Sequence, residues 1–307
     1  MHLTPTTRGG AWRRAVTGAA VALALVAGAG SAQAPHRGTL FIVGGGPQPP
    51  ALVQEFVDLA GGRGHSRIIV FGMASEDGLA GGEDKAKDLR ALGADATSVW
   101  ANHAQANTDS VSRLLDGATG VWFIGGDQNK HTAALKGTAT ERAIHAVYGR
   151  GGVIGGTSAG AAVMSAVMLT GDERHPGGAR PVADSSGAYM TIARDNVIVA
   201  DGFGLLTNAI VDQHFLRRKR ANRLVSLVLE RAPHLGVGID ESTALVVEPD
   251  GRWRVSGASA AVIYDARHAS ITPEGATLGA TGIVMHVLPA GSRYDVATGI
   301  VTLPPRQ

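Results

Sequence analysis

Ser158 stands in the run Gly155-Gly156-Thr157-Ser158-Ala159-Gly160-Ala161, a Gly-x-Ser-x-Gly pattern. The apolar pair Val153-Ile154 leads into it and the alanine-rich run Ala161-Ala162-Val163-Met164 leads out. A sharp strand-to-helix turn of this kind lifts a serine Oγ clear of the backbone at the end of a sheet, where it can attack a carbonyl. Glycines belong there because a side chain would clash where the chain doubles back. The free N–H groups of a helix start favour developing negative charge. The same five residues also suit an ordinary glycine-rich turn, so the remaining parts of a hydrolytic site have to be found elsewhere in the chain.

A serine nucleophile needs a base for its proton, and the base needs an acid to orient it. Of the eleven histidines, His214 is the one at a predicted strand end within a polar stretch, Asp212-Gln213-His214. Two carboxylates, Asp240 and Glu241, end the next predicted strand, and both are candidates for the orienting acid. No His-Glu-x-x-His pair is present, which argues against a metal hydrolase. The chain has no cysteine, which excludes disulfides, thiolate catalysis and cysteine-based zinc sites.

The elements that must position these groups read as alternating strands and helices. Apolar runs at 39–43, 67–71 and 120–124, a short strand at 97–100, and the run into Ser158 are interleaved with helical patterns at 52–59, 84–92, 108–115 and 138–148. Non-alternating apolar strands separated by amphipathic helices predict a parallel sheet covered on both faces. Ligands bind beyond the carboxyl ends of such strands. Gly44-Gly45-Gly46, the Gly125-to-Gln128 turn and Ser158 all fall there. The first glycine run lacks dinucleotide-binding spacing, because position 49 is Pro49. Residues 170–186, rich in Gly, Pro and charge, read as a loop beside the site. A basic helix is expected at 216–230, carrying Arg217, Arg218, Lys219, Arg220 and Arg223, and a further strand at 236–241. From 244 onward short strands at 244–248, 253–256, 261–264 and 282–288 predict antiparallel edge structure with hairpins.

Residues 1–34 have the pattern of an export signal: Arg13-Arg14, an apolar stretch from Ala15 to Gly30, and Ala32-Gln33-Ala34 before Pro35. The expected mature protein is a single domain, residues 35–307, in the periplasm or outside the cell. Removing the signal takes away three arginines and no acid, leaving 25 basic against 26 acidic residues. The mature chain thus has no charge bias calling for nucleic acid or an anionic membrane.

Three separated stretches, Gly-Thr-Ser-Ala-Gly-Ala, Asp-Gln-His-Phe followed by spaced arginines, and Gly-Val-Gly-Ile-Asp-Glu-Ser-Thr-Ala, together resemble the cyanophycinases. These are serine peptidases of the group that includes the aspartyl dipeptidase peptidase E. The resemblance covers roughly residues 38–265. It implies an α/β three-layer sandwich with a mostly parallel sheet, like the class I glutamine amidotransferases, with antiparallel C-terminal strands. It implies Ser158 as nucleophile, His214 as base and Glu241 as orienting acid. The N–H of Ala159 and one from Gly126 or Asp127 would form the oxyanion hole. Gln128, Asp212, Gln213, Arg218, Arg220 and Arg223 fall on positions that resemble the family's substrate-binding residues. The implied substrate is cyanophycin, a polyaspartate with arginine on each β-carboxyl, or else a short aspartyl or isoaspartyl peptide; no cofactor is implied, and relatives suggest a homodimer. A non-catalytic amidotransferase-like binding protein is the alternative from another class. The order Ser, His, Glu differs from the Ser, Asp/Glu, His order of α/β-hydrolases.

Overall fold

Thr39–Val43 (β1) explains the architecture. All five residues are buried, and they alternate between two cores: Leu40 and Ile42 enter one cluster, Phe41 and Val43 the other. A strand with apolar groups on both pleats needs cover on both faces. The remaining elements of the computed structural model, which describes residues 38–174 and 192–305, supply that cover.

In chain order these are α1 (Pro50–Leu59), β2 (Arg67–Phe71), α2 (Leu79–Ala91), β3 (Asp95–Val99), α3 (His103–Ala106), α4 (Asp109–Ser112), β4 (Gly120–Phe123), α5 (Gln128–Leu135), α6 (Ala139–Gly149), β5 (Val153–Thr157), α7 (Ala159–Ala162), β6 (Val167–Glu173), β7 (Val197–Asp201), β8 (Ile210–Gln213), α8 (Ala221–Glu230), β9 (Leu235–Ile239), β10 (Thr243–Val247), β11 (Trp253–Gly257), β12 (Ala260–Asp265), β13 (Ser270–Ile271), β14 (Ala280–Thr281), β15 (Val284–Pro289), β16 (Arg293–Tyr294) and β17 (Val301–Thr302). The first sheet runs β17-β16-β11-β10-β1-β5-β4-β2-β3, and β1, β5, β4, β2 and β3 are mutually parallel. Helices α1 and α2 cover one face through Leu52, Phe56, Ala86 and Leu89, with Phe56 edge-on to Trp122 at 4.7 Å. Helices α5, α6 and α7 cover the other through Leu135, Ile144, Val147 and Ala161. This is the expected α/β three-layer sandwich.

A second sheet, β15-β12-β9-β8-β6-β7, carries parallel β6, β8 and β9 flanked by antiparallel strands. Its inner residues Val211, Val237 and Ile239 join the same core as Leu40 and Ile42, while Leu224, Leu227 and Val228 of α8 pack on its outer face.

Several boundaries differ from expectation, each for a local reason. Helix α2 starts at Leu79, before the predicted 84, and its first turns contain Gly81-Gly82, which carry no apolar period. Helices α3 and α5 are additions; both are short and announced mainly by caps, Asn102 with Gln105 in one and Asp127 with the Asn129 N–H in the other. The basic helix begins only at Ala221. Residues 216–219 form a turn closed by Arg218 N–H donating to the His214 carbonyl, so Arg217, Arg218 and Lys219 lie on the turn. Residues 170–173, expected as loop, complete β6, and residues 175–191 lie outside the described set. Strand β10 is internal to the first sheet, paired antiparallel with β1, and only β11, β16 and β17 lie beyond it. The expected signal, residues 1–34, lies outside the described residues.

Candidate active site

Ser158 follows β5 of the first sheet, His214 follows β8 of the second, and Glu241 lies on the turn where β9 of the second sheet passes into β10 of the first. The three groups therefore meet at the seam between the sheets. His214 Nε2 lies 2.9 Å from Ser158 Oγ, and His214 Nδ1 lies 2.7 Å from Glu241 Oε1. The consistent assignment has Nδ1–H donating to the carboxylate and Nε2 accepting from the serine hydroxyl. That arrangement readies the imidazole to take the serine proton. Asp240, the other acid the sequence left open, is engaged elsewhere: its Oδ1 accepts from the Arg217 N–H at 2.9 Å and its Oδ2 from Ser259 Oγ at 2.9 Å.

The backbone that holds the relay is strained where it must be. Ser158 has φ 53° and His214 has φ 49°, and Ser242, next to Glu241, has φ 56°. Such left-handed values outside glycine persist only when the surroundings over-determine them. The surroundings here are the first glycine loop. The Val43 carbonyl accepts from Ser158 N–H at 3.1 Å, the Gly44 carbonyl from His214 N–H at 2.6 Å, and the Gly45 carbonyl from Ser242 N–H at 2.9 Å. Three consecutive residues thus fix the backbone at Ser158, at His214 and at the residue after Glu241. A Cβ on Gly45, whose φ is 105°, would sit 2.4 Å from the His214 ring. At the serine turn, a Cβ on Gly160 would meet the Phe123 carbonyl at 2.2 Å, so only glycine lets α7 come this close to β4.

His214 is 7% exposed. Burial lowers its pKa below the ordinary 6.5; the Arg218 and Arg220 guanidinium groups push the same way, and Glu241 opposes them. The imidazole is therefore neutral, and competent as a base, to lower pH than a free histidine would be.

Beside Ser158 opens a cleft of about 300 Å³, lined in part by Gly126, Gln128, Gln213, Arg218, Arg220 and Arg223. Of the expected oxyanion donors, the Ala159 and Gly126 N–H groups make no hydrogen bond among the described residues. The Asp127 N–H does not fit that role, since it donates to the Ala74 carbonyl at 3.0 Å. Among the expected substrate residues, Asp212 is also corrected: it is 1% exposed and lies behind the cleft wall. Its carboxylate takes two hydrogen bonds from Arg223, one of them Nε to Oδ2 at 2.7 Å, and one from the Gln213 N–H. Arg223 borders the cleft but is 2% exposed and tied to Asp212. Arg220 donates to the Gln213 carbonyl at 2.7 Å and to its side-chain oxygen. Gln128 donates to the carbonyls of Leu169, at 2.8 Å, and Thr170. Arg218 is exposed, and its side chain has no hydrogen bond or ion pair among the described residues. It is the arginine of this wall best placed to meet a ligand. The relay's dependence on Gly44 and Gly45 and the contribution of Asp172 to the lining are not visible in the sequence pattern; the run of three glycines is the only signal of the first.

Residues 40–253 match the model of peptidase family S51. A cyanophycinase of Synechococcus elongatus is 31% identical over 275 residues, covering 86% of this chain and 80% of the relative. A cyanophycinase of a Nostoc species is 35% identical over 199 residues, 62% of each chain. Among solved structures, a peptidase from an acI-B1 Actinobacterium superposes with a TM-score of 0.59 at 20% identity, covering 85% of this chain and 98% of that one, which speaks to the fold. The chain belongs to peptidase family S51 and is a serine-type peptidase.

Proposed function

We propose that this chain is an exported exopeptidase that hydrolyses cyanophycin to β-aspartyl-arginine dipeptides through an acyl-enzyme. The observation that carries the reading is the Ser158–His214–Glu241 relay opening onto a cleft with an arginine-bearing wall. Cyanophycinases among the relatives support the choice of polymer. In the proposed reaction Ser158 Oγ attacks a backbone carbonyl while His214 Nε2 takes its proton. Glu241 stabilises the resulting imidazolium and holds its tautomer. The Ala159 and Gly126 N–H groups receive the developing oxyanion, where each such donor is worth about 2.7–4 kcal/mol. His214 then protonates the leaving amine, the C–N bond breaks, and an ester to Ser158 remains. Water, deprotonated by His214, attacks the ester and releases the second product.

Each repeat of the polymer offers a free carboxylate, which Arg218 can grip in bidentate fashion. A cleft of about 300 Å³ is at the small end for ligand sites, which suits the end of a polymer chain and equally a short aspartyl peptide. Rapid quenching during turnover of a slow β-aspartyl ester, followed by mass spectrometry, tests the covalent step. An adduct on Ser158 is expected; its absence with turnover intact would point to direct attack by water. Export is supported by the charged, apolar and A-x-A pattern of residues 1–34; an unprocessed N-terminus on the protein recovered from the producing cell would remove that part. The homodimer is supported by β15, an edge strand whose Val284, Met285 and Val287 are exposed. A monomeric mass in light scattering would remove it.

A further inference from the structure

The cleft has a carboxylate that the relay leaves unused. Asp172 lines it together with Ser158 and Arg218. Its side chain is exposed and makes no hydrogen bond or ion pair among the described residues. The other acid in the lining, Asp127, caps α5, its Oδ1 accepting from the Asn129 N–H at 2.8 Å.

The backbone carries Asp172 on a built feature. Strands β6 and β7 pair Leu169 with Val199 and then Glu173 with Val197, so four steps along β6 answer two along β7. The excess forms a bulge over residues 170–172, with Gly171 at φ 101°. Bulges beside sites re-aim side chains. This one is pinned from both sides. Thr170 Oγ1 donates to the Ile198 carbonyl at 2.9 Å and accepts from the Asp172 N–H at 3.3 Å, while Gln128, itself a cleft residue, holds the carbonyls of Leu169 and Thr170. The cleft thus presents Arg218 from the turn after β8 and Asp172 from the bulge in β6, a dipolar lining that fits a zwitterionic ligand.

We propose that Asp172 is a specificity-determining residue that receives the guanidinium of the substrate's arginine while Arg218 receives a carboxylate. The proposal rests on the β-aspartyl-arginine reading above for the identity of the cation. A carboxylate accepts two parallel hydrogen bonds from a guanidinium, which no neutral urea of the same shape returns with charge.

The test uses Ser158→Ala protein and calorimetry with three probes: β-aspartyl-arginine, β-aspartyl-citrulline, and the arginine peptide acetylated at its α-amino group. The arginine peptide should bind on the order of tenfold more tightly than the citrulline peptide, the range of a partly exposed charge-assisted pair. Acetylation should change affinity little. Adding Asp172→Asn should bring the arginine-to-citrulline ratio close to one, and adding Asp172→Glu should preserve it. A ratio unmoved by Asp172→Asn, or a loss that follows acetylation in place of citrulline, overturns the assignment. Failure of the arginine peptide to bind overturns it as well. If the wild-type enzyme leaves cyanophycin intact but the Asp172-dependent ratio appears, the proposed polymer is wrong and the guanidinium subsite stands. If the polymer is cleaved and the ratio does not move, Asp172 is excluded and the polymer stands.

Discussion

At the scale of single residues the relay assigns distinct tasks to two adjacent acids. Glu241 lies 2.7 Å from His214 Nδ1, whereas Asp240 serves the Arg217 N–H and Ser259. Glu241→Gln should therefore lower kcat by about 10³–10⁴-fold, the scale on which a wrongly held imidazole tautomer acts. Asp240→Asn should stay within about tenfold of wild type, since it makes no contact with the reacting groups. Steady-state kinetics on both variants checks the split, and equal losses would contradict it. The pH dependence follows from His214. Burial and the two arginines lower its pKa, so kcat/KM should fall with acid only below 6.5. Removing a nearby positive charge favours protonation, so Arg218→Ala should move the acid limb to higher pH; a limb that stays put or moves down would contradict the assigned cause.

At the scale of elements, the loop after β1 is the frame of the site. Its carbonyls at Gly44 and Gly45 hold the backbones of His214 and Ser242, and the Val43 carbonyl at the end of β1 holds that of Ser158. Gly45→Ala would place a methyl 2.4 Å from the His214 ring. The ring has to move, and displacement by an ångström can cost about 10²-fold in rate. The expected result is a loss of at least that size in kcat, with far-ultraviolet circular dichroism unchanged; full activity would show that the loop yields freely. The parallel core strands were legible in the sequence because β1, β2 and β4 are buried on both pleats along nearly their whole length and read as apolar runs, and Val153-Ile154 opens β5 in the same way. Ser158 and His214 were legible because each directly follows a strand and belongs to a motif; the residues alone left Asp240 and Glu241 equal, and only the resemblance singled out Glu241. The division into two sheets was not legible, since β8 and β9 carry the same apolar signal whichever sheet they join. Nor was the burial of Asp212: its partner Arg223 is eleven positions away, and an Asp in a polar motif reads as a ligand-facing group until the ion pair is seen.

At the scale of the whole molecule, the site sits where two sheets share one core, and its walls double as structural supports. The Asp212–Arg223 pair, 1% and 2% exposed, ties β8 to α8 directly behind the cleft. Truncating one member strands a buried charge, so Arg223→Ala should lower unfolding stability by about 3–5 kcal/mol in urea titration. A change below about 1 kcal/mol would mean that water reaches Asp212 and the wall is looser than described. A serine at a seam between sheets acting on a polymer that carries arginine is the proposed activity. Its most direct test incubates residues 35–307 with insoluble cyanophycin and follows the supernatant by mass spectrometry. Release of β-aspartyl-arginine dipeptide that disappears with Ser158→Ala is the predicted result. Release that persists in that variant would contradict Ser158 as nucleophile. An intact polymer, alongside rapid cleavage of free aspartyl peptides, would contradict the substrate.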